Sequence, residues 1–373
     1  MSEEKNIEIE QETEIETSEE ITNPFSIKDI AINNRTIVIP SLINKLKHNE
    51  IDLNPEFQRN DNLWDRTRMS RLIESILLKL PLPIFYFDVS NPEKWIVVDG
   101  LQRLSTIKKF MVDKKLKLHN LEFLGEELNG KGYNDLDRKY KRTIEDTQLI
   151  TYQIEAQTPK KVRYSIFHRI NTGGLTLNAQ EIRQALNQDG NAISFLKGLT
   201  ENEIFKKIVG VSSKRMLDRE LALRYVAFRI SEKETFTFNN MGEFLDEAME
   251  KLNNIKDIDR LDNLKNSLLD TLKFSEEILG KNHRFSRSIV DDKKSKTLNR
   301  SLFDVVTVCF SEIEDKDKFL GKKDIFLDKF KILLKDEQSS FTKAITEGTS
   351  GKGAIETRFK VMRELIKEIL DED

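Results

Sequence analysis

The 373-residue chain holds one cysteine, so no internal disulfide can form and the fold must stand on burial and hydrogen bonding. That residue, Cys309, sits in the apolar run Val305-Val306-Thr307-Val308-Cys309-Phe310, where a thiol reads as a small core side chain and not as a nucleophile. Histidine is nearly as scarce. His48, His119, His168 and His283 show no metal-ligand spacing, and without cysteine pairs no metal site is expected. No apolar run approaches a membrane span and no signal peptide is visible, which predicts a cytoplasmic protein with no membrane partner. Proline is missing from everything after Pro159. Prolines punctuate short elements, so the first part reads as mixed α and β, and the chain from about Val162 onward as mostly helix.

Charge is plentiful but unevenly placed. Charged residues make up 34% and hydrophobic ones 38%, as in a protein rich in exposed helix. The net charge is −3, yet residues 1–20 hold nine Glu and one Lys, a net of −8. The rest therefore carries about +5, the difference between those two figures, which is too mild to argue for nucleic acid by itself. An acidic stretch without aromatics cannot bury enough apolar surface to fold, so residues 1–24 are expected to be a disordered tail.

Hydrophobic spacing predicts the elements. Thr36–Ile39 reads as a strand and Ser41–His48 as a short helix. Met69, Leu72, Ile73, Ile76, Leu77 and Leu80 form a helical stripe. Ile84–Val89 and Trp95–Val98 read as a hairpin, Gln148–Ile154 as another strand and Pro159–Ile170 as a helix. Beyond it, helices are expected near 178–186, 218–230, 241–252, 261–279, 302–312 and 355–370, with Glu347–Gly353 as a flexible loop.

The most informative segment is Trp95-Ile96-Val97-Val98-Asp99-Gly100-Leu101-Gln102-Arg103-Leu104-Ser105-Thr106-Ile107. A strand that ends in Asp-Gly and feeds a helix aims backbone N–H groups at one point, which attracts phosphate. On a helical wheel Thr106 and Lys109 share the face of Gln102, Leu104, Ile107 and Met111 lie roughly opposite, and Arg103 falls at the rim. Arginine's fork of donors suits phosphate oxygens. The plainer reading is that Asp99 caps the helix and Arg103 pairs with a surface carboxylate. Glu347-Gly348-Thr349-Ser350-Gly351-Lys352-Gly353 does not have P-loop spacing.

Two further motifs flank this one. Pro55-Glu56-Phe57-Gln58-Arg59, with Trp64 downstream, precedes it, and Phe167-His168-Arg169-Ile170-Asn171-Thr172-Gly173-Gly174-Leu175 follows. Together the three resemble the family that forms the N-terminal half of GmrSD-type modification-dependent restriction enzymes, over roughly residues 36–230 by eye. The family's signatures are an aromatic-Gln-Arg motif with a downstream Trp, an Asp-Gly-Gln-Gln-Arg motif, and a Phe-x-x-x-Asn motif followed by Gly and Leu. This chain departs at Leu101, where the second signature has Gln, and at Phe57, where Tyr is usual.

The resemblance implies a ParB/sulfiredoxin-like fold and a nucleotide site. Asp99, Gln102 and Arg103 become candidate catalytic residues, and Gln58, Arg59, Gly100 and Asn171 candidate nucleotide-binding residues. Gly100 would let backbone approach phosphate, Arg103 would neutralise it, Gln102 would orient water or phosphate, and Asp99 would hold Mg²⁺ through water or accept a proton. Phe167 reads mostly as core, and Trp64 as a packing residue. If hydrolysis needs the amide that Leu101 replaces, the site binds a nucleotide without cleaving it. The HNH nuclease half of the full enzymes is not visible.

The expectation is an α+β protein. A ParB/sulfiredoxin-like nucleotide-binding domain (25–190) precedes a helical domain (191–373). Its expected role is a nucleotide-binding, NTP-hydrolysing regulatory component of a prokaryotic restriction or antiphage system. DNA, and a separate nuclease or ATPase chain, would be its partners. The alternative is a non-catalytic module that uses the same cleft for DNA or a partner.

Overall fold

In a computed structural model, the structure describes residues 7–10, 29–53, 64–170, 178–187, 190–231, 236–281, 285–291 and 297–372. The fold is α+β and divides into two compact units, one of residues 21–178 and one of residues 1–20 with 179–373. The division after Asn178 assigns the 179–187 segment to the helical unit, earlier than the expected boundary at 190.

The chain enters with a short strand, β1 (Glu8–Ile9), which belongs to the helical unit. The α+β unit then runs β2 (Ile32–Val38), α1 (Ile39–Lys47), β3 (Ile51–Asp52), α2 (Arg66–Leu77), β4 (Phe85–Asp88), β5 (Trp95–Asp99) and α3 (Leu101–Met111). It ends with α4 (Gly125–Leu128), α5 (Arg138–Asp146), β6 (Gln148–Ile154) and α6 (Lys160–Ile170). The sheet order is β2-β6-β4-β5-β3. The β4/β5 hairpin and the β2/β6 pair are antiparallel, while β6/β4 and β3/β5 are parallel.

Local chemistry explains the helix starts. Pro40 stands in the first turn of α1, where its missing N–H costs nothing. The Asp65 carboxylate caps α2 by accepting from the Arg68 amide at 2.8 Å. The apolar stripes of these helices bury one sheet face, with Leu42, Ile73, Phe85, Phe87, Leu104 and Phe110 in one cluster. Between α3 and α4 the chain runs without helix or strand, anchored by buried Leu116 and Leu118. The buried Glu74 carboxylate holds the next stretch by accepting from the amides of Glu122, Phe123 and Leu124 at 3.0, 2.7 and 2.8 Å. Burial opposes its ionisation, but those three donors hold its pKa below the ordinary carboxylate value.

The helical unit contains α7 (Ala179–Leu186), α8 (Asn191–Thr200), α9 (Glu203–Val209), α10 (Leu217–Ile230), α11 (Met241–Asn254) and α12 (Ile258–Leu279). A two-residue strand, β7 (Thr297–Leu298), precedes α13 (Arg300–Ser311), α14 (Lys316–Gly321), α15 (Lys323–Lys335), α16 (Ser340–Thr346) and α17 (Lys352–Asp371). Edge-to-face, tilted and stacked phenylalanine contacts run through its core, from Phe274 through Phe310, Phe319 and Phe326 to Phe330 and Phe341. Cys309 is buried there, and burial pushes its thiol pKa up, so it is inert as expected. Among the described residues no helix is long and apolar enough to cross a membrane.

Two expectations are corrected here. The tail is not wholly without structure: β1 pairs in parallel with β7, Ile7 is buried in the core cluster, and the Asn299 amide donates to the Glu10 carboxylate at 2.7 Å. The alternation Ile7-Glu8-Ile9-Glu10 supplies an apolar side, which the net charge of the segment concealed. Glu347–Gly353 is not a free loop either. The Ser350 carbonyl accepts from the Met241 amide at 2.9 Å, the Thr349 carbonyl accepts from Arg358 at 2.6 Å, and α17 already begins at Lys352.

Removing residues 1–10 is therefore expected to destabilise the helical unit. Burying an Ile side chain contributes about 1.5–3 kcal/mol, and the strand and Glu10 bonds add to it. Thermal denaturation of full-length and truncated chains checks this, and identical melting temperatures would show that β1 contributes nothing.

Candidate functional site

The hairpin and α3 build the site. On β4 the adjacent residues Tyr86 and Phe87 face Asp99 and Val97, so Val98 is an extra residue on β5 and forms a bulge. Bulges re-aim the chain, and this one lies directly before the turn into α3. Gly100 then takes φ +102°, a left-handed conformation that side chains disfavour. A Cβ at this position would lie 2.4 Å from the Phe85 ring. Conformation and space thus both demand glycine at the strand–helix junction.

Gly100 caps α3 with no side-chain hydrogen bond, and the first helical bond runs from the Leu104 amide to the Gly100 carbonyl at 2.8 Å. The first-turn amides, Leu101 to Arg103, therefore point out of the helix end. Gln102 is half-buried there, and its Oε1 accepts from the Trp64 amide at 3.4 Å. The Asp99 side chain is 38% exposed.

Arg103 is where the structure departs most from expectation. It is buried, at 7% exposure, instead of lying at the rim. Its guanidinium donates to the Pro83 carbonyl, to the Ile84 carbonyl at 3.0 Å and to Asp99 Oδ2 at 2.8 Å, and lies 4.2 Å from the centre of the Phe85 ring. Burial lowers its pKa, and Asp99 opposes that. The physical reason is helical spacing: Arg103 stands at i relative to Ile107 (i+4) and Phe110 (i+7), both fully buried. It shares the core stripe and pins the start of β4 to the end of β5.

Leu101 also faces the core, 8% exposed, so the departure from the signature is accommodated as packing. Thr106, expected on the polar face, is buried and donates to the Gln102 carbonyl at 2.8 Å. Arg103→Ala is therefore expected to cost about 2–4 kcal/mol through missing charge-assisted bonds and two orphaned carbonyls. Arg103→Lys should recover part of this. Chemical denaturation of the three proteins measures it, and unchanged stability in the alanine variant would return Arg103 to the surface.

Gln58, Arg59 and Asn171 lie outside the described residues. The described residues on either side of 54–63 do meet the site. β3 pairs in parallel with β5, Asp52 opposite Ile96, so the chain leaves β3 toward the Asp99 end, and it re-enters at Trp64 beside Gln102. Trp64 is half-buried against the core, as its packing reading requires, with Arg68 stacked over its ring at 4.6 Å. Phe167 is wholly buried, in line with its reading as core.

The strong polar character of α7 was missed. Gln180, Glu181, Arg183, Gln184 and Asn187 are all buried. Glu181 pairs with Arg215 at 2.8 Å and Arg183 with Asp246 at 2.6 Å, both inside the helical unit. Arg215 and Met216 hold consecutive left-handed conformations at φ 59° and 56°, strained backbone that positions the Glu181 partner. The signal was present: Asn178-Ala179-Gln180-Glu181-Ile182-Arg183-Gln184 is too polar for a helix with no exposed face.

Residues 39–187, about two fifths of the chain, match the family model described as GmrSD restriction endonuclease, N-terminal domain. The match agrees with the resemblance drawn from the three motifs, and it covers the β5–α3 junction, the 54–63 segment and α7. No curated protein matches the chain, and no solved structure does.

Proposed function

We propose that this protein is a nucleotide-binding component of a prokaryotic DNA-targeting restriction or antiphage system, with the triphosphate held at the N-terminus of α3. The observation that carries the reading is the uncapped, glycine-entered helix start inside the GmrSD N-terminal match. First-turn amides would bind phosphate, and Gln102 would orient a phosphate oxygen or a water. Gln58, Arg59 and Asn171 would complete the pocket.

Arg103 acts in this reading as the brace of Asp99 and not as a phosphate ligand. Asp99 is the half-exposed carboxylate at the junction and the fitting residue for Mg²⁺. Among the described residues no three metal-binding side chains cluster. The ion would accordingly arrive with the phosphates, held by Asp99 and water, and would supply charge neutralisation. A separate nuclease or ATPase chain is the proposed partner for cutting.

The test is a thermal-shift screen of nucleoside triphosphates with and without Mg²⁺. A ligand at 100 times its dissociation constant adds about 2.7 kcal/mol, which raises the melting temperature by several degrees. No shift with any nucleotide would sink the reading. The second reading, a non-catalytic module at the same junction, is favoured by one observation: Leu101 and Arg103 are both spent on the core. Binding without release of phosphate would select a nucleotide-binding form that does not hydrolyse. Binding of DNA or a partner at the junction, with no response to nucleotide, would select the non-catalytic module.

A further inference from the structure

We propose that the outward face of α15 in the helical unit is a self-association surface, on which a second copy of this chain docks antiparallel across a two-fold axis. The surface rests on nothing proposed for the α3 junction and does not depend on nucleotide binding there.

Helical spacing defines the face. α15 turns Phe326, Phe330 and Leu334 into the core. At about 100° per residue, Asp324, Lys335, Asp328, Ile332 and Ile325 fall in that order within one arc of about 100° on the opposite side. All five are exposed. Ile325 is 42% exposed and Ile332 68%. They stand seven residues apart, so they form one apolar row along the helix.

Charge follows that row in a fixed order. Asp324 and Asp328 flank it in the first half of the helix, and Lys331 and Lys335 flank the same side in the second half. Among the described residues Asp324, Asp328 and Lys335 are in no ion pair within the chain. The neighbouring charges of opposite sense are engaged elsewhere. Lys329 reaches Glu368 and Glu372 of α17, and Lys323 donates to the Glu277 carbonyl. Asp336 accepts from the Gln338 amide, and Glu337 pairs with Arg287.

Symmetry selects the occupant. A two-fold axis perpendicular to the helix reverses its direction but keeps its flanks together, so every contact is made twice. Ile325 then packs on Ile332 of the second copy, while Asp324 and Asp328 face Lys335 and Lys331 there. A parallel pairing would set Asp against Asp and Lys against Lys. A partner of one charge sign would match only half of the face. α15 has 13 residues and is about 20 Å long. A pair this short falls below the roughly 800 Å² per partner of a stable interface, so the dimer is weak and concentration-dependent.

The experiment is sedimentation velocity of the full chain over a concentration series reaching about 1 mM. Ile332→Asp places a charge in the apolar row. Ile258→Asp on α12, where the side chain is 72% exposed, is the control. One double variant, Asp324→Lys with Asp328→Lys, makes the flank wholly basic. A second, Lys331→Glu with Lys335→Glu, makes it wholly acidic. Melting curves confirm that each variant folds.

The expected result is a wild-type dimer that grows with concentration and is weakened at least about tenfold by Ile332→Asp. Ile258→Asp should leave it unchanged. Each double variant alone should be monomeric, and a mixture of the two should dimerise, because unlike copies then restore every charge pair. A wild type that stays monomeric throughout would overturn the assignment. So would a dimer indifferent to Ile332→Asp, one weakened equally by Ile258→Asp, or double variants that each dimerise alone. A mixture that fails to associate while the wild type does would overturn it as well.

Discussion

Asp304→Ala is expected to lower the stability of the helical unit by about 3–5 kcal/mol, the cost of stranding buried charge. Asp304 on α13 is fully buried and receives Arg224 of α10 through Nε at 2.9 Å and Nη2 at 2.8 Å. Arg358 of α17 donates to the same carboxylate at 3.2 Å and to the Thr349 carbonyl at 2.6 Å. Both arginines are themselves buried. Removing the carboxylate leaves two guanidinium groups facing each other in a low-dielectric interior. Three helices and the turn before α17 then lose their common partner.

The net worth of the intact network is a separate matter, because three charges were desolvated to build it. Replacing the trio by Leu at 304 and Met at 224 and 358 should recover most of the loss, since apolar groups of similar size need no partner. Denaturant titration of wild type, single variant and triple variant checks both statements. An Asp304→Ala protein as stable as wild type would show that the arginines find other acceptors.

Gly100→Ala is the second large effect. The substitution forces a side chain into φ +102° and places its Cβ 2.4 Å from the buried Phe85 ring. A left-handed L residue costs roughly 1–2 kcal/mol, and overpacking a core adds about 1–3. The sum, about 2–5 kcal/mol, should appear as a lower melting temperature of the α+β unit. Phe85 also lies under the Arg103 guanidinium, so its displacement should loosen Asp99 and weaken any nucleotide response. A companion Phe85→Leu change makes room for the methyl group but not for the dihedral angle. If the double variant regained full stability, the clash alone would account for the loss.

The elements closest to the site were legible from residue order. Gln148–Ile154 is a strand with the expected limits, and the 85–88 and 95–99 strands form the expected hairpin. Asp99-Gly100 does end a strand and start a helix. These features depend on neighbours in sequence: alternation, helical spacing and a glycine turn. The direction of Arg103 was also written in the sequence, in its spacing to Ile107 and Phe110. Residue type concealed it, because an arginine is read as exposed until three acceptors are found for it.

What the sequence determined by itself was the α+β class, the helical second part, the likeness of the 39–187 segment to the GmrSD N-terminal domain and an inert Cys309. Each follows from local periodicity, composition or ordered motifs. Only the tertiary structure decided that Arg103 braces Asp99, that Ile7 fills a core site, that α7 buries its polar residues, and that Arg66 ties α2 to the Lys117 carbonyl. Those outcomes depend on acceptors and cavities supplied by residues as far as 290 positions away, as Arg300 and the Glu10 carbonyl are. Whether a polar side chain is buried is fixed by who meets it there, and a linear pattern does not carry that information.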